Sequence, residues 1–272
     1  MHFLESVIYG LMSGLAEFLP VSGQAHQVMC MLLFGRSERE PLRDFFVHIA
    51  IIVALFIADS SMFDRIRREK RLSSGRHRGS VNKTLLDIRL VRGAALPMVL
   101  LLFAYLYTGT WEAKPLLVVL LLIINGVILL IPEHMRHGNK DAMTISGVES
   151  LLIGAASGLS ALPGISRIGC GLGISTACGA SRQNSANWVL MLSVPALILY
   201  LLFDIINMFG IGFAGMTFLG FLGYIVSAIT AFAGGYLSVR LLRLLSDRSG
   251  FSVFAYYSWG AALFTFVLFL MT

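Results

Sequence analysis

The sequence predicts an all-α polytopic membrane protein. It reads as a single integral membrane domain, residues 1–272, with an inverted repeat, two re-entrant helical hairpins and about six transmembrane helices. Three observations predict this. The chain is 57% hydrophobic and only 13% charged, with a mean hydropathy of +0.80, where soluble domains carry roughly a quarter charged residues. Two short apolar helices are broken by prolines, at Pro20 and Pro163. The first break also recurs in the second at a fixed spacing. Glu5, Ser6, Gly10, Ser13, Gly14 and Leu15 reappear as Glu149, Ser150, Gly154, Ser157, Gly158 and Leu159, and Ser22 as Ser166, all 144 residues later without a gap. Interrupted helices at matching places in two halves mark an inverted-repeat membrane protein with its site where the repeats meet.

Residues 2–19 and 26–34 are apolar stretches, each short for a crossing that needs about 20 residues. They read as one hairpin that dips into the bilayer and returns. A polar turn at 35–43 leads to an apolar segment, 44–58, that begins with Asp44 and His48. The loop 64–92 is strongly basic, with Arg65, Arg67, Arg68, Lys70 and Arg71 in its first part, and is expected on the cytoplasmic side among anionic lipid headgroups. It interleaves no aromatic residues for base stacking, which argues against nucleic acid as the partner of this positively charged chain. Spans at 93–109 and 115–132 complete the first repeat, 1–132. The second repeat, 145–272, holds an interrupted hairpin at 149–162 and 168–180, then spans at 186–206, 213–237 and 251–271. Placing the basic segments 64–92, 133–147 and 240–250 inside makes the first hairpin enter from outside and the second from inside, so the tips meet within the membrane. Trp111, Trp188 and Trp259 read as interfacial anchors, and His134 and His137 as loop residues. No cleavable signal is expected, because the first apolar stretch lacks a basic flank and contains Glu5 and Glu17. Cys30, Cys170 and Cys178 have the spacing of neither a zinc site nor a disulfide framework.

The two tips carry the chemistry. The first offers Glu17, Ser22, Gln24 and His26; the second offers Ser160, Ser166, Arg167, Gly164 and Gly169. A guanidinium at membrane depth needs an anionic partner, and its planar fork suits phosphate. Arg167 is expected at the start of a half-helix, where free N–H groups also favour an anion, with Gly169 letting the backbone approach closely. The alternative is that Arg167 pairs with Glu17 and stitches the repeats together. His26 can attack phosphorus, shuttle a proton, or serve as a hydrogen-bonded structural residue; Glu17 can orient it or hold a metal. Asp44 and His48 share a helix face, either as a local pair or as a second wall of the same cavity.

At these residues the chain resembles the undecaprenyl-pyrophosphate phosphatase family, the bacitracin-resistance type, over nearly its whole length. Glu17-Phe18-Leu19-Pro20-Val21-Ser22 with His26 is similar to the family's first motif, and Pro163-Gly164-Ile165-Ser166-Arg167 to its second; Asp44 and His48 fit a third polar stretch. The resemblance implies hydrolysis of undecaprenyl pyrophosphate to undecaprenyl phosphate in the plasma (inner) membrane of a bacterium, recycling the cell-wall lipid carrier. It implies Glu17, His26 and Arg167 as catalytic residues, with Ser22, Ser166, Arg167, Gly169, Asp44 and His48 binding substrate. It also implies a divalent cation, Mg or Ca, with Glu17 as its ligand. A polyprenyl pyrophosphate or phosphate and membrane lipids are the expected partners; the oligomeric state stays open, a dimer included. The chain departs from the family at Ser13, where a glutamate is usual, and at Gly23, Ile168 and Gly171, where hydroxyl residues are usual. A relative that binds or translocates an anionic lipid without cleaving it is therefore the alternative expectation.

Overall fold

The computed structural model describes residues 3–36, 39–60, 62–64, 67, 83–107, 114–135, 138–211, 217–247 and 251–271. Most of the basic loop, together with Trp111 and His137, lies outside the described residues. The regular elements described are all helices: α1 (Phe3–Phe18), α2 (Gly23–Leu33), α3 (Pro41–Ala58), α4 (Lys83–Tyr107), α5 (Pro115–His134), α6 (Gly147–Gly158), α7 (Arg167–Ala177), α8 (Arg182–Ile211), α9 (Phe218–Asp247) and α10 (Ser252–Met271). A 3₁₀ turn, Leu159–Ala161, extends α6.

Six helices, α3, α4, α5, α8, α9 and α10, are long and apolar enough to cross a membrane. They make the protein a multi-pass membrane protein, and they keep large apolar side chains such as Leu96, Leu120, Ile206 and Leu263 on the outside. Several run past the expected bounds. α4 starts at Lys83, so Lys83, Arg89 and Arg92 lie on a helix rather than in a loop; α9 likewise carries Arg240 and Arg243 in its last turns. The four remaining helices are shorter. The longest of them, α1, has 16 residues, about 24 Å at 1.5 Å per residue, against a hydrocarbon core of about 30 Å.

The small residues of the short helices explain how they pack. α1 lies on α9 and α6 lies on α4. A Cβ at Gly10 would sit 2.1 Å from the Ser227 carbonyl oxygen, and one at Gly14 would sit 2.2 Å from that of Ala231. A Cβ at Gly154 would sit 1.9 Å from the Ala94 carbonyl oxygen, and one at Gly158 would crowd Leu101 and Met98. Small residues at such contacts let backbones approach, which replaces the hydrophobic drive missing in lipid. Hydroxyls add to each contact: Ser227 donates to the Ser6 carbonyl at 3.0 Å and Ser150 to that of Leu90 at 2.8 Å. Gly154→Leu should therefore destabilise the protein by about 1–3 kcal/mol through overpacking, read as a lower Tm in detergent. Gly147→Ala, where nothing lies within 4 Å, should leave Tm unchanged. Equal Tm values for the two variants would contradict this account of the helix contact.

One tryptophan corrects its sequence reading. Trp188 is no interfacial anchor: it is fully buried and its indole N–H donates to Asp87 at 2.8 Å. Trp259 is half-buried over Gly126, with its N–H on the Ile123 carbonyl at 3.1 Å. His134 sits at the end of α5 rather than in a loop, bonded to the Leu130 carbonyl at 2.9 Å.

Candidate functional site

The site forms where the two helix breaks meet. Pro20 stops α1, because it lacks an N–H and constrains its neighbour, and the chain turns tightly through Val21 to Ser22. Ser22 has φ +66°, alone among the described non-glycine residues in the left-handed region. Such a backbone costs on the order of 1–3 kcal/mol unless its surroundings enforce it. Here they do. Its hydroxyl oxygen accepts from the Gly164 N–H at 3.1 Å, across to the other tip, and from the Ala25 N–H at 3.4 Å as the cap of α2. His26 holds its carbonyl: the imidazole Nδ1–H donates to the Ser22 oxygen at 2.8 Å.

The second break mirrors this arrangement. Gly164, at φ +128°, makes the turn, and Ser166 caps α7 by accepting from the Gly169 N–H at 3.1 Å. Arg167 is thus the first residue of α7, as the sequence predicts. Asn125, fully buried midway along α5, ties the two tips. Its amide N–H₂ donates to the Pro20 carbonyl at 3.2 Å and to Ser258 at 3.0 Å, while its oxygen accepts from the Ser166 N–H at 2.9 Å.

Between the tips lies an open-mouthed cavity, whose empty space counted out into open solvent is about 500 Å³. Its polar lining includes Glu17, Ser22, Gln24, Gln27, Arg39, His48, Ser160, Ser166, Arg167 and Tyr200. Glu17 and Arg167 are joined by a bond of 2.7 Å from Nη2 to Oε1, so the pairing weighed from sequence is present. The same Nη2 reaches Ser193 at 3.1 Å. The guanidinium is only half used: its Nε is buried and has no hydrogen-bond partner. A buried, unmet donor in a polar cavity is a place for an anion.

Other candidates lie elsewhere. His26 does not line the cavity; it is buried in the wall behind Ser22, its Nε2 bonded to the Tyr257 hydroxyl at 2.7 Å. Asp44 also lies outside the lining. It accepts from the Tyr9 hydroxyl, in a cluster where Arg43 stacks 3.6 Å over the Tyr9 ring and Glu5 holds Arg36 at 2.8 Å. Asp44 and His48 are therefore not a local pair; His48 turns into the cavity wall and binds Asp204 of α8. The N–H of Gly169 is taken up by the Ser166 cap, and its small size serves packing, since a Cβ there would meet Leu129 at 3.0 Å.

Asn125, Asp204, Tyr200 and Arg39 escaped the sequence reading. A lone amide in the apolar run of α5 and a lone acid in that of α8 were the available signals, since intramembrane polar groups are costly and mark function.

A comparison with protein families matches residues 6–264 to the bacitracin resistance protein BacA. The chain belongs to this family. It is 27% identical to an undecaprenyl-diphosphatase of Desulfatibacillum aliphaticivorans, over 95% of this chain and 96% of the relative. The identity is 28% to one of Desulforapulum autotrophicum, over 98% of both, and 29% to one of Nocardioides, over 91% and 89%. Against the expected BacA pattern, the departures at Ser13, Ile168 and Gly171 fall outside the cavity lining. Ile168 is fully buried in the apolar core, and a Cβ at Gly171 would meet Val189 at 2.5 Å. Gly23 alone among the four departures lines the cavity; a Cβ there would lie 3.3 Å from Glu17 Oε2. Of these four positions, Gly23 is thus the one where a side chain would reach into the cavity beside Glu17.

Proposed function

We propose that the protein hydrolyses undecaprenyl pyrophosphate to undecaprenyl phosphate and inorganic phosphate, and so recycles a lipid carrier in the bacterial plasma membrane. The observation that carries this is the half-used guanidinium of Arg167, buried beside Glu17 in the polar cavity of a BacA-family chain. Arg167 binds the phosphate, with Arg39 as a second cation in the lining. Ser166 caps the turn of α7 that carries Arg167, Ser193 holds its Nη2, and Glu17 yields Arg167 to the incoming anion. His26 holds the strained Ser22 turn rather than touching the reacting atoms.

The two tips are read as re-entrant hairpins of inverted repeats 1–132 and 145–272. The matched glycines support this: Gly10 and Gly14 meet Ser227 and Ala231, as Gly154 and Gly158 meet Ala94 and Met98. Both partner pairs are also separated by a common offset, 133 residues. The cavity opens on the extracytoplasmic side in this reading. His48 lies two turns from the outer end of α3, and Asp204 lies two turns from the outer end of α8.

The donor set bears on the implied cation. Among the described residues no three His, Cys, Asp or Glu side chains come together to hold a metal, which does not suit a cation caged by the protein alone. It suits Mg or Ca bound mainly by the pyrophosphate, with Glu17 as a single protein carboxylate. Such an ion would neutralise phosphate charge.

Purified protein in detergent should release one phosphate per C55 pyrophosphate, and Glu17→Gln should lower the rate about 10²-fold. Chelation of divalent cations should slow the reaction at least about tenfold. Lipid that binds through Arg167 without phosphate release would sink the hydrolase and leave a carrier of lipid phosphate.

A further inference from the structure

His48 and Asp204 line or adjoin the cavity yet take no part in joining the tips. They come from different halves of the chain, 156 residues apart, on helices α3 and α8 that pack together. The His48 Nδ1 lies 2.5 Å from Asp204 Oδ2, and the ring stacks on Tyr200 at 5.6 Å with 21° between planes. Both contacts fix the imidazole in one orientation. A carboxylate accepting from Nδ1–H leaves the lone pair on Nε2, the arrangement of a base held by an orienting acid.

We propose that His48 is the general base of this site and Asp204 the positioning residue behind it. The assignment rests on the phosphatase reading given above. The other candidates for the role are engaged elsewhere. Both ring nitrogens of His26 are bonded, to Ser22 and Tyr257, and the ring lies outside the lining. Glu17 is held by Arg167 in the empty site and, once it yields that residue to the anion, is the one carboxylate left for the cation. The Ser22 oxygen accepts from two backbone N–H groups, which draws electron density away from it and makes it a weak nucleophile. Water is left as the attacking group.

The step balances simply. Nε2 of His48 takes a proton from water, and the water oxygen forms a bond to the terminal phosphorus. The bond from that phosphorus to the bridging oxygen breaks, its electron pair staying on the bridging oxygen, which leaves as the lipid monophosphate. The products are the monophosphate and inorganic phosphate. The proton on Nε2 passes to the departing oxygen or to solvent. Arg167 faces the negative charge that grows on the phosphate oxygens. Asp204 on α8, Asp44 on α3 and Glu17 from α1 face the histidine electrostatically, and Arg39 before α3 faces Asp204.

The test is steady-state phosphate release from C55 pyrophosphate by the full chain in detergent. His48→Ala should lower kcat by about 10²–10³-fold, the range of general-base loss, with KM within about threefold. Added imidazole should restore at least about tenfold of that loss, because it supplies the missing base to an open cavity. His48→Gln preserves shape and should be as slow, so a folding defect in the alanine variant does not decide the matter. Asp204→Asn should lower kcat about tenfold in the native background and cost nothing further on top of His48→Ala, a non-additivity that loss of packing would not produce. Phosphate release that survives His48→Gln overturns the assignment alone. Loss in His48→Ala with no imidazole response does the same. No release by the unaltered chain overturns the phosphatase reading and the base together.

Discussion

Arg167→Ala should lower kcat/KM for C55 pyrophosphate about 10³-fold, the largest effect expected of any single substitution. One lost donor to a developing oxyanion costs about 10²–10³ in rate, and here a full charge goes with it. The change also strands Glu17, whose side chain is 13% exposed, as an uncompensated acid inside the cavity, and removing one partner of a buried pair costs about 3–5 kcal/mol. Arg167→Lys should recover little, since an ammonium cannot offer the planar, five-donor fork that serves Glu17 and Ser193 through Nη2 and keeps further N–H groups for an anion. Glu17→Ala combined with Arg167→Ala should restore stability but not turnover. Steady-state phosphate release and detergent melting read the two effects separately. An Arg167→Ala protein within tenfold of the native rate would remove the basis for the anion site.

The second large effect is expected at a residue that touches no substrate. Asn125→Leu leaves the Ser166 N–H and the Pro20 carbonyl buried without the partners they now have at 2.9 and 3.2 Å. Each unmet group costs about 1–3 kcal/mol, so the variant should lose several kcal/mol of stability. The kinetic loss should be about 10²-fold even at temperatures where the protein stays folded, because a shift of about 1 Å in a positioned group costs that much. Asn125→Asp keeps the acceptor for Ser166 and loses the donor to Pro20. It should fall between Asn125→Leu and the native chain in both measurements. If Asn125→Leu melts low but turns over normally when folded, the amide holds the fold and not the alignment of the tips.

Much of the architecture was legible in the sequence because its signals are local. Apolar length gives the six spans, proline gives the two breaks, and Ser166 before Arg167 gives a capped half-helix. Depth also made Glu17 and Arg167 stand out, since a charge there requires a partner. What escaped depends on rotation and on distant contacts. His26 falls in the first turn of α2, where about 100° of helical phase separates facing the cavity from facing Tyr257, and no local pattern fixes that phase. Asp44 and His48 share a helix face yet go to different partners, Tyr9 and Asp204. Trp188 reads as an anchor by residue type, and its burial follows from distant contacts, the apolar core it shares with Val91 and Met98 and the Asp87 bond 101 residues away.

The bonds that shape the site also dictate when it can exist during biosynthesis. Glu17 meets a residue 150 positions later, Ser22 one 142 later, and His26 one 231 later, on the last helix. Asn125 likewise waits for Ser258. The α1–α2 segment is therefore made with its acid and its strained turn unsupported, and they gain their partners only after α7 and then α10 have been translated. The bonded site is complete only once α10 is in place, so a chain truncated before that helix should be inactive however well its first half inserts.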